Sequence, residues 1–248
     1  MDRPRVAFVT GAASGIGRAT AVRFGAAGSQ VCCFDLQADA AEATAESIRD
    51  AGGDAIGVGV DVSDEVGVKS AVATGLDHFG HLDVLANVAG IGRFQLTTEE
   101  SVEEWDRILS VNLTGTFLMC REALPALVET KGVIVNVASL AGLQAHPYAV
   151  AYCASKGGVV MLTKTLALEY AAQGVRVNAL CPSGVNTPLL GGFAKPEGAN
   201  GDLFGRIVPI TCQLSEPEEM AAAIDFLASP EMPNMTGTLL VVDGGVSV

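Results

Sequence analysis

Positive charge is scarce in this chain: 15 Lys and Arg stand against 28 Asp and Glu, for a formal charge of −13 and an isoelectric point near 4.5. That balance repels phosphate backbones and anionic lipid surfaces alike, so neither nucleic acid nor membrane is an expected partner. Charge of either sign is thin, at 17% of residues against 49% hydrophobic, with a mean hydropathy of +0.38. Disorder and low-complexity architecture are thereby excluded. Long apolar runs are also missing: the longest uncharged stretch, Gly132 to Ser155, carries Asn136, Ser139, Gln144, His146 and Pro147 and does not read as a spanning helix. Met1-Asp2-Arg3-Pro4-Arg5 runs straight into an apolar strand with no signal region, so a cytoplasmic address is expected. The six cysteines include no C-x-x-C pair, and only three histidines could add metal ligands. Reduced cysteines, mostly used for packing, and no metal are expected.

What is present is a regular alternation. Its 248 residues fit one domain with one core. Short Val- and Ile-rich runs at Arg5–Val9, Gln30–Phe34, Ala55–Val60, Leu82–Ala86, Gly132–Val137, Gly174–Leu180 and Thr238–Val242 alternate with helical patterns. The helices read at Gly15–Ala27, Asp39–Ala51, Asp64–Phe79, Val102–Val128, Ala149–Ala172 and Pro217–Ala228. Ser101 with Glu104 reads as a capping box, and Gly28, Gly52 and Gly80 stand at C-cap positions. The expected fold is α/β, a single-domain, Rossmann-like, doubly wound parallel sheet of seven strands. Ligands of such sheets bind beyond the carboxyl ends of the strands. One segment, about 187–214, is broken by Gly191-Gly192, Pro196, Gly198, Gly201 and Gly205, and is expected to be a substrate loop.

The strand ends carry the chemistry. Thr10 to Gly17 reads T-G-A-A-S-G-I-G and opens a helix, so that Gly11, Ser14, Gly15, Ile16 and Gly17 can bring backbone N–H groups against a pyrophosphate. Asp35, eighteen residues past Gly17, is placed to accept hydrogen bonds from an adenosine ribose. Arg18 is the basic side chain nearest this end. Asp61-Val62 follows the third strand and Asn87-Val88-Ala89-Gly90 the fourth; Asp61 taken alone could equally be a helix cap. Beyond the fifth strand come Ser139 and then Tyr152-Cys153-Ala154-Ser155-Lys156. On a helix, i and i+4 share a face, so the Tyr152 hydroxyl and Lys156 ammonium can point into one cleft. A neighbouring cation favours phenolate, which makes Tyr152 a candidate general acid/base with a depressed pKa.

Together these residues resemble the short-chain dehydrogenase/reductases over essentially the full chain. Thr10–Gly17 is similar to that family's cofactor-phosphate motif, Asn87–Gly90 to its N-N-A-G turn, and Asn112, Ser139, Tyr152 and Lys156 to its catalytic tetrad. Pro182-Ser183-Gly184-Val185-Asn186-Thr187 is similar to its P-G-x-x-x-T segment. Val88 and Ser183 depart from the pattern. The resemblance implies that Ser139 hydrogen-bonds the substrate oxygen, Tyr152 exchanges its proton, Lys156 binds the nicotinamide ribose, and Asn112 holds a water in the proton relay. It also implies that Thr187 and the Val185 backbone bind the carboxamide, and that Gly11, Ser14, Gly15, Ile16, Gly17, Asp35, Asp61, Val62, Asn87, Ala89, Gly90 and Pro182 hold the rest of the cofactor.

The expected function is an NAD-dependent oxidoreductase interconverting a small-molecule secondary alcohol and its ketone. Two alternatives stand beside it. One is an NADPH-type 3-oxoacyl-carrier reductase, which the absence of a basic residue at position 14 and the presence of Asp35 oppose; the other is an NAD-sensing protein without turnover, whose usual mark would be a lost Tyr or Lys. Arg93 and His146 are the polar candidates on the substrate side, and Leu189, Leu190, Phe193, Leu203 and Phe204 would form an apolar lid. Small and apolar residues on more than the core face of Ala149–Ala172 (Ala151, Gly158, Val159, Leu162, Leu166) lead to the expectation of a homotetramer.

Overall fold

The structure, a computed structural model, describes residues 3–248. Seven parallel strands form one sheet: β1 (Val6–Thr10), β2 (Gln30–Asp35), β3 (Asp54–Gly59), β4 (Val84–Asn87), β5 (Val133–Val137), β6 (Arg176–Pro182) and β7 (Leu239–Val242). Their order is β3-β2-β1-β4-β5-β6-β7. The chain therefore leaves β1 in one direction for β2 and β3 and in the other for β4, which makes β1 and β4 the point where a crevice opens.

Alternate residues of the central strands feed two cores, because successive side chains of a strand face opposite sides of the sheet. Val6, Phe8, Cys32, Phe34, Leu85 and Ile134 are buried on one side, against α3 (Glu65–Phe79), α5 (Gly115–Thr130) and α6 (Val150–Tyr170). Ala7, Val9, Val31, Cys33, Val84 and Val135 pack on the other, against α1 (Gly15–Ala26), α2 (Ala38–Asp50) and α7 (Pro217–Ala228). Burial on both faces explains why the strands read as continuous apolar runs.

The helix expected over Val102–Val128 is three segments on one rod: α4 (Val102–Leu109), a π-turn over Ser110–Thr114 and α5. The π-turn carries Asn112, and such bulges recur at functional positions. The capping box at Ser101 is half formed: its side chain accepts from the Glu104 amide at 3.2 Å, but the Glu104 carboxylate turns to Arg107 at 3.0 Å. The complete box caps α7 instead, between Glu216 and Glu219. Gly28, Gly52 and Gly80 do adopt the left-handed backbone that ends α1, α2 and α3. All six cysteines are free thiols, with Cys212 exposed, and no His/Cys/Asp/Glu cluster able to hold a metal exists among the described residues. No helix among them is long and apolar enough to cross a membrane.

Candidate active site

Two cavities open beyond the strand ends and share Ile16, Val88, Gly90, Thr187 and Leu189 on their walls. The larger, about 510 Å³, runs from the β1–α1 turn across β2 and β3. Gly11, Ser14, Gly15, Ile16 and Gly17 line it, together with Asp35, Asp61, Val62, Ala89, Gly90 and Thr187, as the motifs imply. Ser14 is the N-cap of α1 yet its side chain makes no capping bond, and no acidic residue occupies the helix's first turn. The unfilled N–H groups and the positive end of the helix dipole are thus left for an anion. Gly17 is obligatory: a Cβ there would lie 2.1 Å from the Gly11 carbonyl oxygen.

Asp35 is held at the edge of this cavity by two backbone bonds, accepting from Ala13 N–H (3.0 Å) and Gln37 N–H (3.0 Å) on separate carboxylate oxygens. Each oxygen retains capacity to accept again, as a ribose requires. Arg18 does not reach the wall, whereas Arg107 does, with its guanidinium engaged by Glu104. Asp61 accepts from both the amide (2.9 Å) and the hydroxyl (2.7 Å) of Ser63, while the cap of α3 is Asp64. The helix-cap alternative for Asp61 is therefore not what the chain uses.

The smaller cavity, about 300 Å³, has Ser139, Tyr152 and Lys156 on one wall and Pro182, Val185 and Thr187 on another. Ser139 begins a 3₁₀ turn over Leu140–Gly142, accepts from the Ala141 amide at 3.1 Å and donates to the Pro182 carbonyl at 3.4 Å. Tyr152 and Lys156 rise from the first two turns of α6, and the Lys156 ammonium donates to the Val137 carbonyl at 2.8 Å, tying α6 to the end of β5. Burial lowers the Lys156 pKa to about 8, because the charged form has lost its water. For Tyr152 the expected depression is reversed. Burial pushes the phenol up to about 12, the Ser139 hydroxyl pulls weakly the other way, and the Lys156 ammonium lies 5.8 Å from the ring centroid. Desolvation outweighs the Ser139 hydrogen bond, so these residues by themselves keep the proton on Tyr152.

Two of the implied residues turn their side chains away from the cavities. Asn87 lines neither large cavity: it stands opposite Asn136 in the β4–β5 register, and its amide donates inward to Asn136 Oδ1 (2.9 Å) and Cys120 Sγ (3.2 Å). The turn's contribution to the cavity comes from Val88, Ala89 and Gly90, with the Val88 and Ala89 amides both donating to Thr10 Oγ1 at 2.9 and 3.0 Å. Asn112 likewise stands behind the wall. Its side chain accepts from Ile91 N–H (2.8 Å) and donates to the Ile91 carbonyl (2.8 Å) and Ser155 Oγ (3.0 Å). The Ser155 hydroxyl donates in turn to the Tyr152 carbonyl at 2.8 Å, so Asn112 braces the tyrosine's helix. A Cβ on Gly90 would come within 3.2 Å of Asn112 Oδ1 and 3.4 Å of Lys156 Nζ, so the missing side chain keeps open the space those two groups border.

The 187–214 segment closes the smaller cavity with two 3₁₀ turns, Pro188–Gly192 and Gly201–Ile207. Leu189, Leu190 and Phe193 reach the wall as anticipated; Leu203 does not, and Phe204 packs on Phe94 (5.2 Å between centroids) and Tyr148 (5.6 Å). Phe193 meets the Tyr152 ring edge to face at 5.2 Å. Arg93 is off the wall, paired with Glu100 at 2.7 Å, whereas His146 is on it. Sequence reasoning missed the buried chain Asn87–Asn136–Thr163, in which Asn136 donates to Thr163 Oγ1 at 3.0 Å and Thr163 to the Val159 carbonyl at 2.8 Å. An asparagine inside the apolar run V-I-V-N-V was the signal that could have found it.

A sequence model of the family described as enoyl-(acyl carrier protein) reductase matches residues 11–247. The chain is 42% identical to a D-threitol dehydrogenase of Mycolicibacterium smegmatis, over 98% of this chain and 93% of the relative. It is 41% identical to a 3beta-hydroxysteroid dehydrogenase of Eggerthella lenta, over 98% and 94%. A crystal structure of a 3-ketoacyl-(acyl-carrier-protein) reductase from Brucella melitensis complexed with NADH superposes with a TM-score of 0.89 at 39% identity, covering 98% of both chains. The chain belongs to the short-chain dehydrogenase/reductase family and is an oxidoreductase of that family.

Proposed function

We propose that this member of the short-chain dehydrogenase/reductase family interconverts a secondary alcohol and its ketone with NAD(H) as hydride carrier. The observation that carries the reading is the junction of the two cavities, where Ser139, Tyr152 and Lys156 meet a cradle of backbone N–H groups at the start of α1. The cradle, the free Ser14 hydroxyl and the carboxylate of Asp35 fit a dinucleotide whose adenosine ribose carries two hydroxyls. A nicotinamide dinucleotide, when bound, supplies the hydride acceptor or donor. The chain's own part is orientation and proton transfer: Ser139 donates a hydrogen bond to the substrate oxygen, and the Tyr152 hydroxyl gives its proton to that oxygen in reduction or takes it in oxidation. Lys156 holds the nicotinamide ribose, and the Asn112 carbonyl in the π-turn, which already accepts from the Thr116 hydroxyl at 2.7 Å, has its second lone pair to offer a relay water.

NAD rather than NADP is favoured by Asp35, since a 2′-phosphate would set about two negative charges against a fixed carboxylate whose nearest cation on the wall, Arg107, is already paired. A relative named for threitol and one named for a 3beta-hydroxysteroid support an alcohol as the substrate class. The 3-ketoacyl reductase neighbour favours the second reading, a 3-oxoacyl reductase. The assembly proposed is a homotetramer, since Phe117 of α5 and Met161 and Leu168 of α6 are exposed apolar side chains that second copies would cover. The test is NADH absorbance during incubation of the protein and NAD with secondary alcohols. Formation of NADH is the expected result, and equal efficiency with NADP would move the reductase reading to first place.

A further inference from the structure

Three described residues other than glycine adopt a positive φ: Lys131, which ends α5, Cys212, and Tyr148 at 62°. For a bulky aromatic residue that conformation is strained, and it persists only where the surroundings hold it. Tyr148 stands four residues ahead of Tyr152, at the entry to α6, and two other loops hold it there. Its carbonyl accepts from the Gln95 N–H at 2.7 Å, which fixes it to the loop after β4. Its hydroxyl accepts from the Asn200 N–H at 2.8 Å and its ring stacks on Phe204 at 5.6 Å, both partners belonging to the 187–214 segment.

That segment depends on the Tyr148 hydroxyl. It supplies Leu189, Leu190, Phe193, Ile207 and Leu214 to the wall of the smaller cavity. Backbone bonds tie it down near both ends, from the Phe94 N–H to the Gly192 carbonyl (3.3 Å) and from the Thr211 N–H to the Gly244 carbonyl (3.4 Å). Over residues 193–210 between them, the bond to Tyr148 is the one hydrogen bond to any other described part of the chain. Rings continue inward from there: Phe204 meets Phe94 at 5.2 Å, Phe94 meets Phe193 at 4.9 Å, and Phe193 meets Tyr152 at 5.2 Å. Release of this stretch would take Phe193 off the cavity wall and off the Tyr152 ring, while Ser139, Tyr152 and Lys156 keep their places on other elements.

We infer that Tyr148 is a positioning residue for the reaction: its hydroxyl latches the 187–214 segment over the smaller cavity and thereby sets the affinity for substrate. This rests on the function proposed above and adds to it a residue on the wall of neither cavity.

Tyr148→Phe is the test, because it keeps the ring, the stack on Phe204 and the backbone conformation and removes only the accepting oxygen. Asn200 is exposed, so its freed N–H returns to water, and the expected loss is the factor of roughly two to ten that one neutral hydrogen bond carries. Amide exchange over residues 193–207 of the free protein is expected to quicken by that factor, with α6 unchanged. KM is measured with NAD and whichever of 2-butanol, cyclohexanol and threitol the unmodified protein oxidises fastest. It is expected to rise by the same factor, with kcat held within about twofold and NADH affinity unchanged. Unchanged exchange overturns the latch. Quicker exchange with an unchanged KM, or with a loss confined to kcat, overturns its part in the reaction. If the protein binds NADH but oxidises none of these alcohols, it is the proposed function that fails, and exchange alone decides the latch, quicker exchange supporting it and unchanged exchange overturning it. If Tyr148→Phe does not fold, Asn200→Pro is compared with Asn200→Ala: the first removes the N–H at a position whose φ of −69° suits proline, and the second keeps it. A higher KM for Asn200→Pro supports the latch, and equal values overturn it.

Discussion

The two cavities meet at Gly90 and Thr187 but are built by different means. The larger is made of strand ends and backbone: the Gly11–Gly17 turn, the fixed carboxylate of Asp35, and the Val88 and Ala89 amides pinned to Thr10. The smaller is made of side chains from loops far apart in sequence, closed by a segment without an α-helix of its own. A site read by backbone groups depends on a few glycines and one turn geometry. A site read by side chains depends on where each loop settles, so its specificity can change without disturbing the fold.

The largest separation of the two regions is expected from Tyr152→Phe. The change removes one oxygen from the smaller cavity and none from the larger, so NADH affinity by fluorescence titration should hold while kcat falls by about 10²–10⁴. A mutant retaining near-full activity would sink the assigned proton transfer.

Lys156 lines the smaller cavity and is proposed to hold the nicotinamide ribose, and its replacement sets function against stability. Its pKa falls from an ordinary 10.5 to about 8, so the unfolded chain binds more protons than the folded one between those values. Burial of the ammonium therefore costs stability most fully below pH 8, and the cost is relieved as pH rises through 8 toward 10.5. Lys156→Met should lose activity and NADH affinity yet gain up to about 3 kcal/mol of unfolding free energy at pH 7, an advantage that shrinks by pH 10. Denaturant unfolding at the two pH values checks it. An advantage that grows with pH would show the ammonium to be stabilising.

Asp35 tests the larger region alone. NAD should be preferred over NADP by at least about tenfold in kcat/KM, and Asp35→Ala should narrow the gap mainly by weakening NAD. Loss of the two bonds to Ala13 and Gln37 would loosen the turn as well, so the measurement is the ratio of the two cofactors rather than either value alone.

The smallest effect is expected at the lid. Phe193→Leu removes the edge-to-face contact with Tyr152 and should raise KM by up to about tenfold, with NADH affinity unchanged. Hydrogen exchange over Leu189–Phe204 should slow when cofactor and substrate are both added. Equal protection with and without them would show that the segment is a fixed wall.

The sequence by itself determined the doubly wound sheet, because seven apolar runs separated by helical periods have few other ways to bury both faces of every strand. It also located the glycine turn, Asp35 and the Tyr152–Lys156 pair, because each follows from local geometry: a strand end, a helix start, a spacing of four on one helix face. Only the tertiary structure decided which of these side chains face the cavities. Asn87 and Asn112 turn inward because β4 lies beside β5 and the π-turn lies under Ile91, pairings between residues 49 and 21 positions apart. The Tyr152 pKa was decided there too, since the spacing to Lys156 is visible in the sequence while the burial that overrides it is not. So was the substrate wall: Phe94, His146, Phe193 and Ile207 share no local pattern, and become neighbours only when the sheet brings their loops to one edge.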